Sequence, residues 1–496
     1  MAKAYKNFIN GEWCDSSSGE RFENRNPANW DEVIGTFPAS TAEDVDRAVQ
    51  AAKEAFDEWR LVPAPFRGEV IRKVGDLLTK YKEDIARTMT REMGKVLAET
   101  RGDVQEGIDT AYYAATEGRR LFGHTVPSEL PNKFNMSMRI PIGVAGIITP
   151  WNFPMAIPTW KIFPALVSGN TVVFKPASDT PATATRLVEI LLEAGLPPKV
   201  INLVHGSGTK VGLPIVEHQD IRLVSFTGST AVGKLISEKA GKTLKRVSLE
   251  LGGKNAQIVM DDADLHLALE GVLWGAFGTT GQRCTATSRL ILHEKIYDQF
   301  VKMLVQETER LKLGDGLDES NQVGPLINEG QLQKVDSYVK IGIEEGAKLL
   351  TGGERYTDGA CARGFFYRPT IFVDVQPDMR IAREEIFGPV LSVFKVRSFE
   401  EAIKLMNDST YGLSSSIYTR DVNRAFKAMR DIEAGITYIN GPTIGAEAHM
   451  PFGGVKETGN GHREGGWEVF EFYTETKVVY VDYSGKLQRA QIDNRE

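Results

Sequence analysis

Cysteine is scarce in this 496-residue chain, which contains only Cys14, Cys284 and Cys361. Three widely spaced cysteines cannot form a disulfide framework, and neither a Cys-x-x-Cys pair nor a close cluster of cysteine and histidine is present to hold a metal ion. The seven histidines form no metal-ligating pair either. We therefore expect a cytoplasmic protein, kept in a reducing compartment, without a metal site.

An excess of positive charge and a secretory or membrane segment are also missing. Lys and Arg number 59 against 66 Asp and Glu, so the net charge of −7 offers no broad basic surface for nucleic acid or anionic lipid. The first residues lack the apolar run of a secretory signal. Residues 140–160 are uncharged over about the length of a membrane span, but Pro141, Pro150, Pro154 and Pro158 would break a spanning helix. We expect neither nucleic acid nor membrane as a partner.

The overall composition is that of an ordinary globular protein, with 42% hydrophobic and 25% charged residues. The length predicts more than one domain. A capping-box pattern at Thr41 and Asp44 begins a predicted amphipathic helix that ends at Trp59.

From residue 140 onward, short apolar runs rich in β-branched residues alternate with segments of helix length. This alternation predicts βαβ units and a parallel sheet covered on both faces. The predicted strands are 144–148, 170–174, 200–204, 222–226, 288–292 and 478–481, and the predicted helices are 182–194, 265–277 and 295–312. The last strand is a candidate for contact with a neighbouring subunit.

A glycine turn between a strand and a helix follows residues 221–226. Free N–H groups at the N-terminus of such a helix favour a phosphate. The segment also comes close to a P-loop, because Gly228, Gly233 and Lys234 fit that pattern, but Leu235 stands where the magnesium-binding hydroxyl is required. An alternative of similar weight is a simple junction whose glycines allow tight packing.

Three further residues are candidates for chemistry. Cys284 lies in a glycine-flanked loop, where Arg283 and free backbone N–H groups favour an accessible thiolate of lowered pKa and an oxyanion site. Glu250 follows an apolar strand, and burial there would raise its pKa and make it a general base. The amide of Asn152, in a stiff uncharged segment, could donate to an oxyanion. The alternatives are a buried structural cysteine, a solvated glutamate and a turn asparagine.

Seven segments, in their order along the chain, resemble motifs of the aldehyde dehydrogenase superfamily. They are Thr149-Pro-Trp-Asn-Phe-Pro154, Phe174-Lys-Pro-Ala-Ser178, Phe226-Thr-Gly-Ser-Thr230, Leu249-Glu-Leu-Gly-Gly-Lys254, Gly281-Gln-Arg-Cys284, Glu384-Glu-Ile-Phe-Gly-Pro389 and Pro451-Phe-Gly-Gly454. Each motif is weak alone, but the shared order makes coincidence implausible. The resemblance covers essentially the whole chain, including the opening segment Phe8-Ile-Asn-Gly-Glu-Trp13.

The resemblance implies an α/β fold of three parts. A Rossmann-like cofactor domain would comprise residues 1–122 and 142–252, and an α/β catalytic domain would comprise residues 253–465. A small β oligomerisation arm would comprise residues 123–141 and 466–496. The resemblance further implies a homo-oligomer, either a dimer or a tetramer, that acts on a small-molecule aldehyde with NAD or NADP.

The resemblance also implies a role for each candidate residue. Cys284 attacks the aldehyde carbonyl, and the Asn152 side-chain amide and the Cys284 backbone N–H hold the oxyanion. After hydride transfer to the cofactor, Glu250 activates the water that hydrolyses the thioester. The implied cofactor-binding residues are Thr149, Pro150, Trp151, Lys175, Ser178, Gly228, Ser229, Glu250, Leu251, Gly252, Glu385 and Phe387.

Three other readings compete with a hydrolytic aldehyde dehydrogenase. An acylating relative would pass the acyl group to coenzyme A, but such enzymes tend to lack the glutamate found here at Glu250. A P-loop nucleotide hydrolase is disfavoured by Leu235. A catalytically silent relative is disfavoured by the complete set of Asn152, Glu250 and Cys284.

Cofactor and substrate selectivity rest on four positions. Ser178 replaces the glutamate common in NAD-selective relatives, which predicts that NADP is accepted, unless Ser178 merely caps the following turn.

The candidate substrate residues are Glu106, Arg283 and Glu447, which resemble the aminoadipic-semialdehyde branch of the family. Their charges suit the two ends of an amino-acid semialdehyde. The alternative is a broad aldehyde oxidase in which Glu106 and Arg283 pair with each other at the tunnel rim.

Overall fold

Two seven-stranded sheets organise the chain in this computed structural model, which describes residues 2–493. In chain order, the strands are β1 (Lys3–Ala4), β2 (Asn7–Ile9), β3 (Glu12–Cys14), β4 (Arg21–Asn26), β5 (Asn29–Pro38), β6 (Thr125–Pro127), β7 (Lys133–Pro141), β8 (Val144–Ile148), β9 (Thr171–Lys175), β10 (Ile201–Leu203), β11 (Ile221–Thr227), β12 (Arg246–Glu250), β13 (Asn255–Val259), β14 (Thr287–His293), β15 (Lys348–Thr351), β16 (Thr370–Val373), β17 (Val390–Val396), β18 (Tyr411–Gly412), β19 (Ser414–Tyr418), β20 (Ile436–Ile439), β21 (Val455–Lys456) and β22 (Thr474–Asp482).

Helices cover both faces of these sheets. In chain order, they are α1 (Ala42–Trp59), α2 (Ala64–Met93), α3 (Leu97–Glu117), α4 (Ala156–Ser168), α5 (Pro181–Glu193), α6 (Leu213–Glu217), α7 (Thr230–Gly241), α8 (Leu265–Phe277), α9 (Glu294–Glu309), α10 (Glu329–Glu344), α11 (Arg380–Arg383), α12 (Phe399–Asn407), α13 (Val422–Asp431) and α14 (Val469–Phe472). The predicted α/β class is confirmed.

The first sheet has the order β12-β11-β8-β9-β10-β2-β3. It is parallel from β12 to β10, and β2 and β3 add an antiparallel edge. Ala145 and Ile147 of β8 pack with α2 to α5, whereas Val144 and Ile148 pack with α1, α6 and α7. Because both faces are covered, the strand is apolar at every position, as the sequence indicates.

The second sheet has the order β15-β16-β17-β14-β13-β19-β20 and is parallel except for β15. On β14, Ile291 packs with α10 to α13, while Leu290 and Leu292 pack with α8 and α9. Only residues 251–254 separate β12 of the first sheet from β13 of the second. The two sheets therefore meet at this link.

A separate antiparallel sheet, β22-β7-β6, projects from the body. Strand β22 pairs with β7 along its whole length, from Thr474 opposite Pro141 to Asp482 opposite Lys133. Helix α14, which precedes β22, packs instead with the core beside α4. The predicted strand at 478–481 is confirmed and is longer than the sequence indicates.

The predicted local elements form with small differences at their ends. Helix α1 begins with the predicted cap, because the backbone N–H of Thr41 donates to Asp44 Oδ2 at 3.0 Å. The uncharged stretch 140–160 contains the end of β7, all of β8 and the start of α4. Within residues 2–493, every helix is too short or too polar to cross a membrane.

Candidate active site

A cavity of about 200 Å³ lies between the carboxyl ends of β8, β11 and β12 and the segments that precede β14 and β17. The carboxyl ends of parallel strands are the usual ligand-binding edge of an α/β sheet. Of the residues that the sequence singles out, those lining the cavity are Pro150, Trp151, Asn152, Gly228, Ser229, Leu251, Gly252, Cys284, Glu385 and Phe387.

Three other residues line the cavity: Thr227, which lies within the motif Phe226-Thr-Gly-Ser-Thr230, and Gln331 and Lys334, to which no motif points. Gln331 donates through Nε2 to the carbonyl oxygen of Phe387 at 2.7 Å. This bond supports a residue whose backbone has a positive φ of 61°. Gln331 and Lys334 lie on α10, and only the packing of that helix brings them to the site.

Cys284 follows a short turn between α8 and β14 and is partly exposed. Thr279 and Thr280 in this turn have left-handed backbones, with φ of 53° and 57°. The amide of Asn255 donates to the carbonyl oxygen of Cys284 at 2.8 Å. A Cβ at Gly253 would lie 2.4 Å from the same oxygen, so the neighbouring strand can approach only because this residue is glycine.

The environment of the Cys284 thiol differs from the sequence expectation. Burial, with smaller contributions from Glu385 and Glu250, raises the pKa of the thiol to about 12. The expected lowering of this pKa is wrong because burial outweighs the backbone N–H groups that lower it, while Arg283 donates through Nη2 to Glu99 Oε1 at 3.1 Å and does not contribute to the shift. Since the thiolate is the nucleophilic form, Cys284 needs a base to take its proton.

Asn152 lies in the loop after β8 and is 3% exposed. Its Nδ2 donates to the carbonyl oxygen of Gln282 at 3.2 Å, two residues before Cys284. The backbone carbonyl oxygen of Asn152 accepts a hydrogen bond from Lys95 Nζ at 2.9 Å. The amide of Asn152 is therefore fixed beside the segment that carries the thiol, as an oxyanion donor must be.

Glu250 ends β12 and is 3% exposed, which excludes the solvated alternative. Neither carboxylate oxygen has a hydrogen-bond partner within the described part of the chain. Burial raises the pKa of Glu250 well above its ordinary value, and the nearby charge of Glu464 raises it further. A buried carboxyl of raised pKa is suited to take up and release a proton near neutral pH.

A buried ion pair lies behind Glu250. Lys161 Nζ is 2.6 Å from Glu464 Oε1, and both side chains are almost fully enclosed. The hydroxyl of Ser225 accepts a hydrogen bond from Lys161 at 2.9 Å and donates to Glu464 at 3.2 Å. These contacts keep the negative charge of Glu464 in place beside β12, where it acts on Glu250.

The glycine turn after β11 leads into α7 at the cavity wall. Ser229 caps the helix by accepting the N–H of Val232 at 3.4 Å. The N–H of Gly228 donates to the carbonyl oxygen of Glu250 at 3.0 Å. Gly228 therefore joins the turn to β12, and the exposed Ser229 is left facing the cavity at the positive end of the helix dipole.

The P-loop alternative gains no support from this turn. Leu235 lies on α7 without a hydroxyl, and Lys234 pairs with Glu457 at 2.8 Å. Residues 2–493 contain no group of three or more His, Cys, Asp or Glu side chains arranged to hold a metal ion.

Lys175 and its neighbours lie at the carboxyl end of β9, outside the cavity lining. The N–H of Thr149 donates to the carbonyl oxygen of Lys175 at 3.2 Å. Lys175 Nζ donates to the carbonyl oxygen of Pro176 at 2.7 Å, and burial lowers the pKa of Lys175 to about 8. The hydroxyl of Ser178 donates to the carbonyl oxygen of Gly206 at 3.1 Å, so it binds a distant loop and does not cap its own turn.

Glu385 and Phe387 complete the wall opposite the first sheet. Glu385 Oε1 accepts the N–H of Gly253 at 2.9 Å. A Cβ at Gly252 would lie 2.6 Å from Glu385 Oε2, so a side chain here would displace the carboxylate of Glu385. The rings of Trp151 and Phe387 meet edge to face with centroids 5.4 Å apart. A carboxylate for ribose hydroxyls, an aromatic pair and a glycine turn at a helix N-terminus fit a nicotinamide dinucleotide.

Arg283 and Glu106 do not form the pair that the sequence left open. The carboxylate bonded to Arg283 is that of Glu99, so the alternative of a Glu106–Arg283 pair is wrong. One carboxylate oxygen of Glu106 is buried without a partner among residues 2–493. Burial, together with Asp103, raises the pKa of Glu106 to about 8.

Glu447 lies on an exposed loop, with 69% of its side chain accessible, and its carboxylate is 3.4 Å from the ring of His449. Burial, with smaller contributions from the charges of Glu106 and Glu447, raises the pKa of Tyr438 to about 12.

Comparisons with known proteins agree with this geometry. Residues 13–479 match the model of the Aldehyde dehydrogenase family. The alpha-ketoglutaric semialdehyde dehydrogenase of Bacillus subtilis (strain 168) is 46% identical over 96% of this chain and 98% of that protein. The succinate-semialdehyde dehydrogenase of Escherichia coli (strain K12), whose name specifies NADP(+), is 40% identical over 95% of this chain and 97% of that protein.

A crystal structure of betaine aldehyde dehydrogenase from Staphylococcus aureus in complex with NAD+ is also similar. It has a TM-score of 0.95 and 36% identity, over 97% of this chain and 95% of that chain. The chain thus belongs to the aldehyde dehydrogenase family, whose enzymes oxidise an aldehyde with NAD or NADP.

Proposed function

We propose that this enzyme oxidises a semialdehyde with a terminal carboxylate to the corresponding dicarboxylic acid, through a covalent intermediate on Cys284. One observation carries the proposal. Cys284 and Asn152 line one cavity, and Glu250, a buried carboxylate without a hydrogen-bond partner among residues 2–493, directly precedes Leu251 and Gly252 of the same lining. These are the groups that acyl transfer through a thioester requires.

The chemistry begins with removal of the thiol proton. The raised pKa of Cys284 keeps the sulphur protonated, so Glu250 takes the proton as Sγ bonds to the aldehyde carbon. The carbonyl oxygen becomes an oxyanion, held by Asn152 Nδ2 and the backbone N–H of Cys284. The nicotinamide cofactor, held by Glu385, Ser229 and Phe387, would supply the hydride acceptor for this carbon, whose oxidation would give the thioester.

Hydrolysis completes the cycle. Glu250, having released its first proton, takes a proton from water as the water oxygen bonds to the thioester carbon. The carbon–sulphur bond then breaks, the acid is released, and the Cys284 thiolate takes back the proton that Glu250 took from water. We assign cofactor binding to Glu385 and Lys175 for the riboses, to Ser229 for the pyrophosphate and to Phe387 for the nicotinamide. The assignments of Glu385, Ser229 and Phe387 rest on the cavity wall, and that of Lys175 rests on the family resemblance and its place at the carboxyl end of β9.

Replacement of Cys284 by alanine should abolish turnover. Cys14→Ala and Cys361→Ala are the matched controls and should retain near-wild-type activity, because both thiols lie outside the cavity. The measurement is cofactor reduction at 340 nm with a panel of aldehydes, with and without coenzyme A. Full activity of Cys284→Ala would contradict the covalent mechanism, and a requirement for coenzyme A would contradict hydrolysis.

The Glu250→Gln variant should slow both steps that use Glu250 as a base, and deacylation more than cofactor reduction, because solvent can take the proton of the partly exposed Cys284 thiol whereas thioester hydrolysis depends on a base for water. Rapid mixing should show a burst of reduced cofactor followed by a slow steady state. In the wild type, the steady-state rate should rise with pH through a pKa well above the ordinary glutamate value, since only ionised Glu250 accepts a proton. Loss of the burst would place the main role of Glu250 in deprotonation of Cys284.

We propose that the enzyme accepts NADP as well as NAD. Ser178 brings no negative charge to the end of β9, and Lys175 lies close by, so a 2′-phosphate would meet no like charge from position 178. The Escherichia coli relative whose name specifies NADP(+) is consistent with this proposal.

Ser178→Glu should lower kcat/KM for NADP about tenfold or more relative to NAD, because a carboxylate would repel the 2′-phosphate. Ser178→Gln is the matched control: it adds the same bulk without the charge and should change the NADP to NAD ratio less. Steady-state kinetics with both cofactors gives the ratio for each variant. A strong preference of the wild type for NAD that Ser178→Glu leaves unchanged would overturn the idea.

The name of the Bacillus subtilis relative suggests α-ketoglutaric semialdehyde as the first substrate to test. Arg283 is the candidate anchor for the terminal carboxylate. Its Nε and Nη2 donate to Thr279 and Glu99, so we assign Nη1 to the substrate. Glu106, whose raised pKa favours the protonated form, would line the same tunnel without repelling the anion.

The wild type should therefore favour α-ketoglutaric semialdehyde, which is 2,5-dioxopentanoate, over pentanal, an aldehyde of equal chain length, by at least about tenfold in kcat/KM. Arg283→Met should reduce this preference. The ratio of the two substrates is the informative quantity, because any disturbance of the catalytic loop affects both. If pentanal is the better substrate and Arg283→Met leaves the ratio unchanged, the anchor hypothesis should be dropped in favour of broad aldehyde oxidation.

We also propose that the enzyme is a cytoplasmic homo-oligomer. The projecting sheet formed by β6, β7 and β22 exposes large apolar side chains, among them Val126, Phe134, Val478 and Tyr480. Exposed apolar strands of this kind are typical of an interface.

The proposed division of the chain has three parts. The cofactor domain would comprise 1–122 and 142–252, the catalytic domain 253–465, and the arm 123–141 and 466–496.

A further inference from the structure

We propose that Glu99 of α3 is a positioning residue for the nucleophile, because its carboxylate holds the turn before Cys284 through Thr279 and Arg283. The inference rests on the proposed role of Cys284 and adds a residue to which no motif points. Glu99 belongs to the N-terminal half of the chain, whereas the turn that it holds belongs to the second half.

The turn before Cys284 is not held by local backbone preference. Thr279 (φ 53°, ψ 26°) and Thr280 (φ 57°, ψ 35°) are both left-handed and are both β-branched. Such a residue brings its Cβ close to the following carbonyl oxygen, which makes this conformation unfavourable. Two successive residues persist in it only where the surrounding structure determines the conformation.

The carboxylate of Glu99 supplies this constraint. Its Oε1 accepts the backbone N–H of Thr279 at 2.7 Å and Nη2 of Arg283 at 3.1 Å. Arg283 Nε closes the arrangement by donating to the hydroxyl of Thr279 at 2.8 Å. A single oxygen thus fixes both the first left-handed residue and the residue that immediately precedes Cys284.

Burial strengthens these bonds. The side chain of Glu99 is 2% exposed and that of Arg283 is 10% exposed, so water competes little for either charge. The guanidinium of Arg283 also lies 4.8 Å from the ring centre of Trp274, which restricts its movement. The turn is therefore held by charge-assisted bonds in a nearly dry environment.

The same side of α3 holds the other half of the proposed oxyanion site. Lys95, which precedes the helix, donates to the carbonyl oxygen of Asn152 at 2.9 Å and to Asp103 at 2.7 Å. Asp103 accepts the N–H of Ala156 at 2.7 Å, in the segment that follows Asn152. Glu99 and Asp103 are four residues apart on α3 and so lie side by side, and Lys95 joins them through its bond to Asp103. Loss of Glu99 should therefore displace Cys284 relative to Asn152.

The test compares Glu99→Ala and Glu99→Gln with Glu117→Ala, a matched control on α3. Glu117 is also buried and lies near Arg120, at 3.3 Å, but it has no contact with the turn. Glu99→Ala should lower kcat/KM for the aldehyde about 100-fold, the effect of misplacing a reacting group by about 1 Å. Glu99→Gln keeps an oxygen acceptor for Thr279 and should recover a large part of this loss. Glu117→Ala should stay within about twofold of the wild type.

The rate of Cys284 alkylation by iodoacetamide is the readout that a purely structural role would not move. Its pH profile should change shape in Glu99→Ala, because the displaced thiol loses its burial beside Glu385 and Glu250, and should be unchanged in Glu117→Ala. The KM for the cofactor should stay constant in both. If Glu99→Ala does not fold, the alkylation profile and kcat/KM of Glu99→Gln decide the question alone, because this variant keeps the side-chain shape.

Failure of the proposed nucleophile and failure of the proposed role of Glu99 give different experimental results. If stoichiometric alkylation of Cys284 in the wild type leaves turnover intact, the proposed nucleophile is wrong, and the role of Glu99 is overturned with it. If alkylation abolishes turnover, but the Glu99 variants match Glu117→Ala in kcat/KM and in the alkylation profile, then Glu99 has a structural role only.

Discussion

Exclusion of water from the link between the two sheets is the constraint on which the site depends. Residues 251–254 join β12 to β13 directly, so Glu250 lies 3% exposed with both oxygens unpartnered among residues 2–493. Burial raises the pKa of Glu250 and also that of Cys284. A raised pKa makes the ionised form of Glu250 a stronger base, and this carboxylate is the form that can take the proton from the neutral thiol of Cys284. The charge of Glu464, fixed by Lys161, acts in the same direction on Glu250.

The site takes residues from both halves of the chain, so the two halves must be held in a fixed relative position. Asn152 comes from the first sheet, and Cys284 comes from the turn before β14 in the second. Helix α3 contacts both segments, through Asp103, which accepts the N–H of Ala156 and the bond from Lys95, and through Glu99, which accepts the N–H of Thr279. A rigid helix with charged groups on one side can set the distance between two loops that have no preference for each other. This arrangement accounts for buried charges that a simple core would not contain.

Glycine at two successive positions lets the halves approach each other. At Gly252 a Cβ would collide with Glu385, and at Gly253 it would collide with the carbonyl oxygen of Cys284. The two glycines of the Leu-Gly-Gly segment therefore allow close packing and do not serve backbone flexibility, since neither has a positive φ. The close approach brings the carboxylate of Glu385 to the cavity wall opposite Ser229. The link of residues 251–254 thus contributes both to the cavity wall that fits a dinucleotide and to the packing of the segment that carries the Cys284 thiol.

The sequence by itself determined the elements and most of the residues at the cavity. Periodicity identified strands such as β8 and helices such as α8, because a strand buried on both faces must be apolar throughout. Ordered motifs identified Asn152, Glu250 and Cys284. Only the tertiary structure decided the partner of Arg283, the raised pKa of Cys284 and the presence of Gln331 and Lys334 at the cavity. The reason is physical: pairing and desolvation depend on distances between segments up to 184 residues apart, as for Glu99 and Arg283, and a local pattern carries no information about such distances.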